Sequence, residues 1–283
     1  MIGITGATGH LGELTIQALL DGGTPAAEIV ALVRNPEKAA DLAAKGVQVR
    51  QANYNQPETL DSALQGIDKL LLISSNDVAD RATPQRNVVE AAKRAGVKLL
   101  AYTSILRAGT AKMTMAEDHK ATEEAIRASN IPFVFLRNGW YLENQNIAQT
   151  AQHGVLAGSA GKGKLSAASR ADYAAAAAAV LTLPDQEGKI YELGGDQAFT
   201  LAELAAEVQA VSGNPVKFQN MPEAEYAGML KGYGVPAPLA DKLADAETRQ
   251  SEGELYTDSG DLSKLIGRPT TPMKQWVKDT LQG

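Results

Sequence analysis

The sequence predicts a doubly wound α/β fold, in which helices cover both faces of a parallel sheet, and three observations support this. Strand-like and helix-like segments alternate along residues 1–137, the order that builds parallel sheets through helical crossovers. The segments at residues 29–33 (IVALV) and 70–73 (LLLI) are continuously apolar, as expected for strands covered on both faces. A glycine-rich turn directly follows the first apolar strand and opens a helix, which is typical of sheets that bind a ligand at this turn.

Each element follows from the apolar pattern and from the residues that end it. Gly46, Gly66 and Gly96 stand at or near the ends of three predicted helices, where glycine readily takes the left-handed conformation. The predicted strands are residues 1–5, 29–33, 47–49, 69–73, 98–103 and 131–136. The predicted helices are residues 12–21, 36–45, 57–64, 81–95 and 115–129.

Beyond residue 138 the alternation loosens. Thr200 is a predicted N-cap, with Glu203 completing a capping box. We therefore expect a Rossmann-type domain over residues 1–137 and a smaller α/β lobe over residues 138–283 that closes the substrate cleft, with some of its segments returning to the sheet. The predicted elements of this part are helices at residues 171–183, 200–212, 223–233 and 237–248 and a strand at residues 190–193.

Composition and charge narrow the functional classes. The 283 residues include no cysteine, which excludes disulfides and thiolate chemistry. Their formal net charge is −6, so the composition gives no sign of a basic surface for nucleic acid. The three histidines lack a metal-ligand spacing, so we expect no metal site. The longest apolar runs are far shorter than the roughly 20 residues that span a bilayer. Without a recognisable leader at Met1, we expect a cytoplasmic protein with no membrane insertion; the sequence leaves its oligomeric state open.

The glycine-rich turn carries the strongest functional signal. It reads GATGHLG over residues 6–12: Gly6 permits the tight turn, Gly9 lets a pyrophosphate approach the backbone, and Gly12 allows close packing of helix on sheet. The N-terminus of the following helix offers N–H groups and a positive dipole end to phosphates. The other phosphate loop, which ends in Lys and Ser or Thr, is absent, so nucleotide hydrolysis is disfavoured. The predicted cofactor contacts here are Gly6, Ala7, Thr8, Gly9, His10 and Leu11.

The residue after the second strand indicates which dinucleotide binds. Proteins that prefer NAD usually carry Asp or Glu there, which holds the ribose 2′-hydroxyl. This chain has Arg34 instead, which can pair with a 2′-phosphate through two charge-assisted hydrogen bonds. Lys38 could add a second positive charge, although a solvated lysine explains it better. The sequence therefore predicts NADPH as cofactor.

Polar residues follow the other predicted strands as well. Because the carboxyl ends of parallel strands meet at one edge of the sheet, we expect them to complete the cofactor cleft. They are Asn53 and Tyr54, expected beside the adenine, Ser74, Ser75 and Asn76, Thr103 and Ser104, and Asn138, Gly139, Trp140 and Tyr141.

Several segments together resemble the NmrA-like branch of the atypical short-chain dehydrogenases/reductases, and within it the bacterial NADPH-dependent quinone reductases and the triphenylmethane dye reductases. The resemblance covers essentially the whole chain. It implies NADPH-dependent reduction of quinones and cofactor contacts at residues 6–11, Arg34, residues 74–76, Asn138, Gly139, Trp140, Tyr141, Leu142, Glu143 and Arg170. The segments that carry it are the glycine turn and residues 33–38, 70–75, 101–104, 136–141, 169–173 and 262–267.

The proton donor that ordinary members of the short-chain dehydrogenase/reductase superfamily use is missing. Their Tyr-x-x-x-Lys pair protonates a carbonyl, but this chain has Ala116 in the tyrosine place, with Lys120 in the lysine place. A quinone is electrophilic enough to need no protein acid, so we expect direct hydride transfer to a planar acceptor. His119 and Lys120 are the catalytic candidates; a partly exposed helix histidine explains His119 at least as well. Trp140 and Tyr141 are candidates for the substrate pocket wall.

Two other functions fit the same residues. NmrA-like proteins include sensors that bind NADP without catalysis, and the missing tyrosine is compatible with that role. Reduction of triphenylmethane-type dyes uses the same hydride step. NADPH oxidation with and without a quinone distinguishes the sensor, and a panel of acceptors distinguishes the dye reductase.

Overall fold

The computed structural model describes residues 1–75 and 80–283. Its strands are β1 (Ile2–Thr5), β2 (Ile29–Val33), β3 (Gln48–Gln51), β4 (Lys69–Leu72), β5 (Leu99–Ile105), β6 (Phe133–Asn138), β7 (Val155–Gly158), β8 (Lys189–Leu193) and β9 (Lys217–Asn220). A seven-stranded sheet has the order β3-β2-β1-β4-β5-β6-β8, and its pairs from β3 to β5 are parallel. This order confirms the doubly wound α/β class. It also places the point where strand order reverses between β1 and β4, the usual ligand crevice of such sheets.

Helices connect these strands. They are α1 (His10–Asp21), α2 (Ala40–Ala44), α3 (Pro57–Ala63), α4 (Ala82–Ala95), α5 (Met115–Ser129), α6 (Ile147–His153), α7 (Arg170–Thr182), α8 (Leu201–Ser212), α9 (Glu223–Gly232), α10 (Ala237–Ser251), α11 (Asp261–Ile266) and α12 (Met273–Gln282). Short 3₁₀ turns lie at Ala26–Glu28, Pro36–Ala39 and Leu142–Asn144.

Internal contacts divide the chain into two compact units. The first unit contains Met1–Ile105, Asp118–Arg137 and Arg170–Tyr191. The second contains Leu106–Glu117, Asn138–Ser169 and Glu192–Gly283. The division predicted from the sequence, with a closing lobe over residues 138–283, stays a prediction.

The core of the first unit forms where the sequence is continuously apolar. All five residues of β2 are buried, and β4 and β5 bury Leu70, Leu72 and Leu100 in one cluster with residues of α3 and α4. Helix α7 packs against α1, and its buried alanines permit the close approach because they carry no bulk beyond Cβ. The small residues of this chain thus serve helix packing around the sheet.

Three boundaries differ from prediction near the site. Strand β5 extends to Ile105, so that Thr103 and Ser104 lie inside it instead of following it. Helix α1 begins at His10, two residues before the predicted start at residue 12. Gly9, with extended backbone angles (φ −90°, ψ 159°), is its N-cap. The helix predicted over residues 36–45 is a 3₁₀ turn followed by the short α2.

The second unit contains a two-stranded parallel sheet of β7 and β9. Helix α8 begins with the predicted capping box, in which the Thr200 side chain accepts the Glu203 N–H and the Glu203 carboxylate accepts the Thr200 N–H. Helices were correctly predicted where α9 and α10 lie. Strands β7 and β9 were not predicted. The sequence of β9 (KFQN) shows no apolar alternation, and the strand is mostly exposed.

The part of the chain that the structure describes contains neither a membrane-spanning helix nor a metal-binding cluster. No helix there has the length and apolarity needed to cross a membrane. No group of His, Cys, Asp or Glu side chains there could hold a metal ion.

The carboxyl of a half-buried glutamate in the second unit should make stability depend on pH. Glu247 of α10 accepts a hydrogen bond from the Ser159 N–H at 2.8 Å and bonds to Tyr226 of α9, and burial raises its pKa from 4.5 to about 7. The folded unit therefore holds this proton more tightly than the unfolded chain. The resulting stabilisation is complete below pH 4.5 and is lost as the pH rises through about 7.

We expect Glu247→Gln to remove this dependence. A shift of this size corresponds to about 3 kcal/mol between the two limits. Urea unfolding at pH 5 and at pH 8 measures it: the wild type should lose on the order of 2 kcal/mol more than the variant over this interval. Equal losses in both proteins would contradict the assignment.

Candidate cofactor and substrate site

The glycine turn has a shape that other residues cannot reproduce. Gly6 has a positive φ of +57°, and the Gly9 N–H donates to the Gly6 carbonyl at 2.9 Å. A Cβ on Gly12 would lie 2.4 Å from the Gly6 carbonyl oxygen and 2.8 Å from the Ala7 Cα. Both are backbone atoms, so the turn and the start of α1 fit together only because Gly12 lacks a side chain.

The start of α1 is suited to an anion. No side chain caps it, so its first-turn N–H groups keep the positive end of the helix dipole available for a phosphate. Gly6, Gly9 and His10 are exposed, whereas Ala7 and Leu11 are buried. Contacts from the buried pair therefore involve the backbone. The turn fits the pyrophosphate for which the sequence predicted it.

Arg34 lies immediately after β2, one strand away from the turn. Its side chain is exposed and makes no salt bridge among the described residues. The carboxyl ends of β2, β1 and β4 are neighbours in the sheet, so Arg34, the glycine turn and Ser74 and Ser75 after β4 share one edge. Asn76 lies outside the described residues. Arg170 starts α7, which packs on α1 in the same unit.

Tyr54 is engaged inside the first unit. Its hydroxyl lies 2.9 Å from the Ile73 carbonyl oxygen and within hydrogen-bond distance of the Thr5 hydroxyl. Burial raises its pKa, so the phenol stays neutral. The hydroxyl thus braces the end of β4, and a contact with adenine stays a prediction for the rest of the side chain.

Ser104 is not available to polarise a substrate. It is buried in β5 and donates to Glu123 of α5 at 2.7 Å. The same carboxylate binds Arg137 at 2.7 Å. The hydroxyl is therefore a member of a buried ion-pair network, in which removing one partner would leave a charge uncompensated.

His119 is buried, so its description as a partly exposed helix residue was wrong. Only 5% of it is accessible. Its Nε2 lies 2.9 Å from Nη1 of Arg81, and its Nδ1 lies 2.9 Å from the Tyr102 hydroxyl. Because a guanidinium can only donate, Nε2 is the acceptor and Nδ1 carries the proton. Both ring nitrogens are therefore engaged by neighbouring side chains. Lys120 is exposed and Ala116 is buried.

We expect His119→Ala to impair folding more than catalysis. Its removal leaves a cavity and takes one hydrogen-bond partner each from the Tyr102 hydroxyl and from Arg81, at a cost of about 2–4 kcal/mol in unfolding free energy. A general acid contributes at least about a hundredfold to kcat, whereas we expect kcat to fall by less than about tenfold. Denaturant unfolding and steady-state kinetics on the same preparation test this. A hundredfold drop in kcat with unchanged stability would restore the acid role.

The predicted contacts at residues 138–143 belong to the second unit. The Leu106 N–H donates to the Asn138 carbonyl and the Gly139 N–H to the Leu193 carbonyl. Trp140 and Tyr141 are half-buried, and Tyr141 forms a bridge with Ala168. Their backbone is thus fixed by neighbouring segments of the same unit.

Leu142, Glu143 and Asn138 differ in their burial and in their hydrogen-bond partners. Leu142 is fully buried, while Glu143 is half-buried. Asn138 is buried, and its Nδ2 lies 3.3 Å from the Tyr141 hydroxyl. Its Oδ1 has no hydrogen-bond partner within the described part of the chain. Burying an acceptor without a hydrogen-bond donor costs free energy. A contact between this oxygen and an amide or hydroxyl donor of the cofactor stays a prediction.

These features define a class of protein. The strand order of the parallel sheet reverses beside the glycine turn, the helix after the turn starts without a side-chain cap, and an arginine follows the second strand. Together these features are typical of a Rossmann-type architecture that binds a dinucleotide. The chain belongs to the NAD(P)H-binding family, whose model matches residues 6–184. The predicted resemblance is thereby confirmed at family level.

Individual relatives match the full length. Quinone oxidoreductase 2 of Escherichia coli (strain K12) is 53% identical over 279 residues, covering 98% of this chain and 97% of that protein. The crystal structure of an Escherichia coli NADPH-dependent quinone oxidoreductase complexed with NADPH is 52% identical, with a TM-score of 0.96 and coverage of 99% of both chains. Triphenylmethane reductase of Citrobacter sp., complexed with NADP(H), is 43% identical with a TM-score of 0.93, covering 99% of this chain and 100% of that chain.

Proposed function

We propose that this chain is an NADPH-dependent reductase that transfers a hydride to quinones. The observation that carries the proposal is the identity of 53% to Escherichia coli quinone oxidoreductase 2, which extends over almost the whole of both chains. The glycine turn and Arg34 support the cofactor independently of that similarity.

Each proposed binding residue has a defined task. The backbone of residues 6–11 holds the pyrophosphate at the start of α1, and Arg34 pairs with the 2′-phosphate. Within the second unit, Asn138 offers a buried acceptor, and Trp140 and Tyr141 stay the predicted residues of the substrate pocket wall. When bound, NADPH supplies the hydride.

In this reaction the chain positions the reactants and supplies no proton. Ser104 is bonded to Glu123, His119 is buried with both ring nitrogens engaged, and Ala116 stands in the place of the usual tyrosine. A quinone that gains a hydride becomes a hydroquinone anion, which water can protonate. A simple ketone gains an alkoxide instead and needs an acid in the transition state. The site is therefore matched to acceptors whose reduced form is a weak base.

Reduction of triphenylmethane dyes is the second candidate. It is favoured by the 43% identity to the Citrobacter sp. triphenylmethane reductase. These dyes are planar, conjugated cations, and hydride addition to them also requires no protein acid.

An anaerobic assay of NADPH consumption with a benzoquinone, a triphenylmethane dye and a simple ketone tests the proposal. We expect rapid consumption with the quinone, none without an acceptor, and none with the ketone. Faster turnover of the dye would favour the second candidate. Saturable NADPH binding without turnover of any acceptor would overturn the reductase proposal in favour of a dinucleotide sensor.

Two further proposals concern the protein in the cell. We propose that the reaction takes place in the cytoplasm, which fractionation of the producing cells tests. Oligomer formation is compatible with the fold, and sedimentation of the purified protein tests it.

A further inference from the structure

The loop that follows β4 is held by side chains at three successive backbone N–H groups. The Ile73 N–H donates to the Thr5 hydroxyl at 2.9 Å, the Ser74 N–H to the Thr103 hydroxyl at 2.8 Å, and the Ser75 N–H to the Gln85 amide oxygen at 3.2 Å. These three acceptors come from three different elements, β1, β5 and α4. We call Thr5, Thr103 and Gln85 the loop clamp.

The clamp residues are themselves fixed. Thr5, Thr103 and Gln85 are almost completely buried, at 1%, 2% and 0% exposure. The Thr5 hydroxyl donates to the Leu71 carbonyl, and the Gln85 amide nitrogen donates to Thr122 of α5 at 2.8 Å. Apolar residues of similar size would fill these positions without needing partners. The polar atoms present instead give each of the three loop N–H groups an acceptor.

The loop that the clamp holds borders the ligand crevice of the sheet. Strand β4 is the neighbour of β1 across the point where strand order reverses, so the loop lies beside the glycine turn in the ligand crevice. With its three N–H groups engaged, residues 73–75 do not bind phosphate. The phosphates are left to the glycine turn, and the loop is available to shape the cleft around the rest of a dinucleotide.

We propose that Thr103 and Gln85 are positioning residues for the cofactor, which hold residues 73–75 in the binding shape before the dinucleotide arrives. A loop that is already ordered loses little conformational freedom on binding, so affinity is gained without a new contact. The inference rests on the proposed function, since it assumes that NADPH occupies this crevice.

Kinetics of Thr103→Val and Gln85→Leu test the proposal. Each variant keeps the approximate volume but leaves one loop N–H without its acceptor. We expect KM for NADPH to rise at least about fivefold, with kcat at saturating NADPH changing less than about threefold. Thr103→Ser keeps the hydroxyl and should restore KM to within about twofold of the wild type.

Ser129→Ala is the matched control. Ser129 is also buried, and its hydroxyl accepts the Ile131 N–H at 3.2 Å. This variant likewise strands a backbone N–H, but at the C-terminal end of α5, whereas the clamp contacts α5 at Thr122. A merely structural effect would raise KM in this variant as well. Unchanged KM in both clamp variants, or an equal rise in the control, would overturn the proposal.

Amide hydrogen exchange of the wild-type protein without nucleotide tests the proposal without any substitution, so misfolding of a variant cannot affect the result. The clamp predicts slow exchange at Ile73, Ser74 and Ser75, although these residues lie beyond the end of β4. Fast exchange at all three would overturn the proposal. If the wild type showed no saturable NADPH binding while exchange stayed slow, the clamp would stand as a structural feature and the proposed function would fall.

Discussion

Replacing Gly12 by alanine is expected to weaken NADPH binding by at least about a hundredfold. The added Cβ would lie 2.4 Å from the Gly6 carbonyl oxygen and 2.8 Å from the Ala7 Cα. Ala7 is fully buried and Gly6 has a positive φ, so neither can move without unfolding the turn. Pyrophosphate contacts depend on this backbone shape, and each charge-assisted hydrogen bond that is lost costs about 1.5–3 kcal/mol.

Two other glycines of the same region serve as comparisons. A Cβ on Gly9 meets only the Gly6 carbonyl oxygen, at 3.2 Å, so Gly9→Ala should fold nearly normally yet obstruct the ligand. Gly22 closes the other end of α1 with an ordinary φ of −75°, and Gly22→Ala should leave binding unchanged. Calorimetric titration and thermal unfolding of the three variants measure both effects. NADPH binding by Gly12→Ala within threefold of the wild type would show that the turn does not hold the cofactor.

Arg34→Ala is expected to abolish the preference for NADPH over NADH. The paired hydrogen bonds from a guanidinium to the 2′-phosphate contribute about 2–3 kcal/mol, which corresponds to a fall of about 30-fold to 160-fold in kcat/KM for NADPH. NADH has no 2′-phosphate, so its kcat/KM should change less than about threefold. Steady-state rates with both nucleotides, at one fixed concentration of a benzoquinone, give the ratio directly.

The control for Arg34 must remove a positive charge without removing a ligand. Arg94→Ala does so, because Arg94 is similarly exposed but pairs with Asp61 of α3. If this variant lost as much NADPH activity as Arg34→Ala, the effect would be general electrostatic attraction. An unchanged NADPH preference in Arg34→Ala would place the 2′-phosphate elsewhere.

The sequence predicted those features that depend on local pattern. The apolar run IVALV became the fully buried β2, helix α5 has the predicted bounds, and the capping box at Thr200 is present. In each case, the periodicity or the spacing of a few neighbouring residues decides the structure. The glycine turn belongs with them, because its steric requirement arises within residues 6–12.

Features that depend on contacts distant in sequence were not predicted. The Thr5 hydroxyl binds an N–H group 68 residues away, and His119 is held by Arg81 and Tyr102, which are 38 and 17 residues away from it. Periodicity shows which face of a strand or helix is buried but not which polar groups meet there. Ser104 was expected beyond the end of β5 for a related reason: the strand continues because β6 continues beside it.

Calorimetric titration of the wild-type protein with NADPH tests the central claim most directly. We predict saturable binding at one site per chain, with an affinity at least about tenfold higher than for NADH because of the 2′-phosphate contact. Absence of a saturable signal with NADPH would contradict the account, because the glycine turn, Arg34 and the clamped loop would then have no ligand in common.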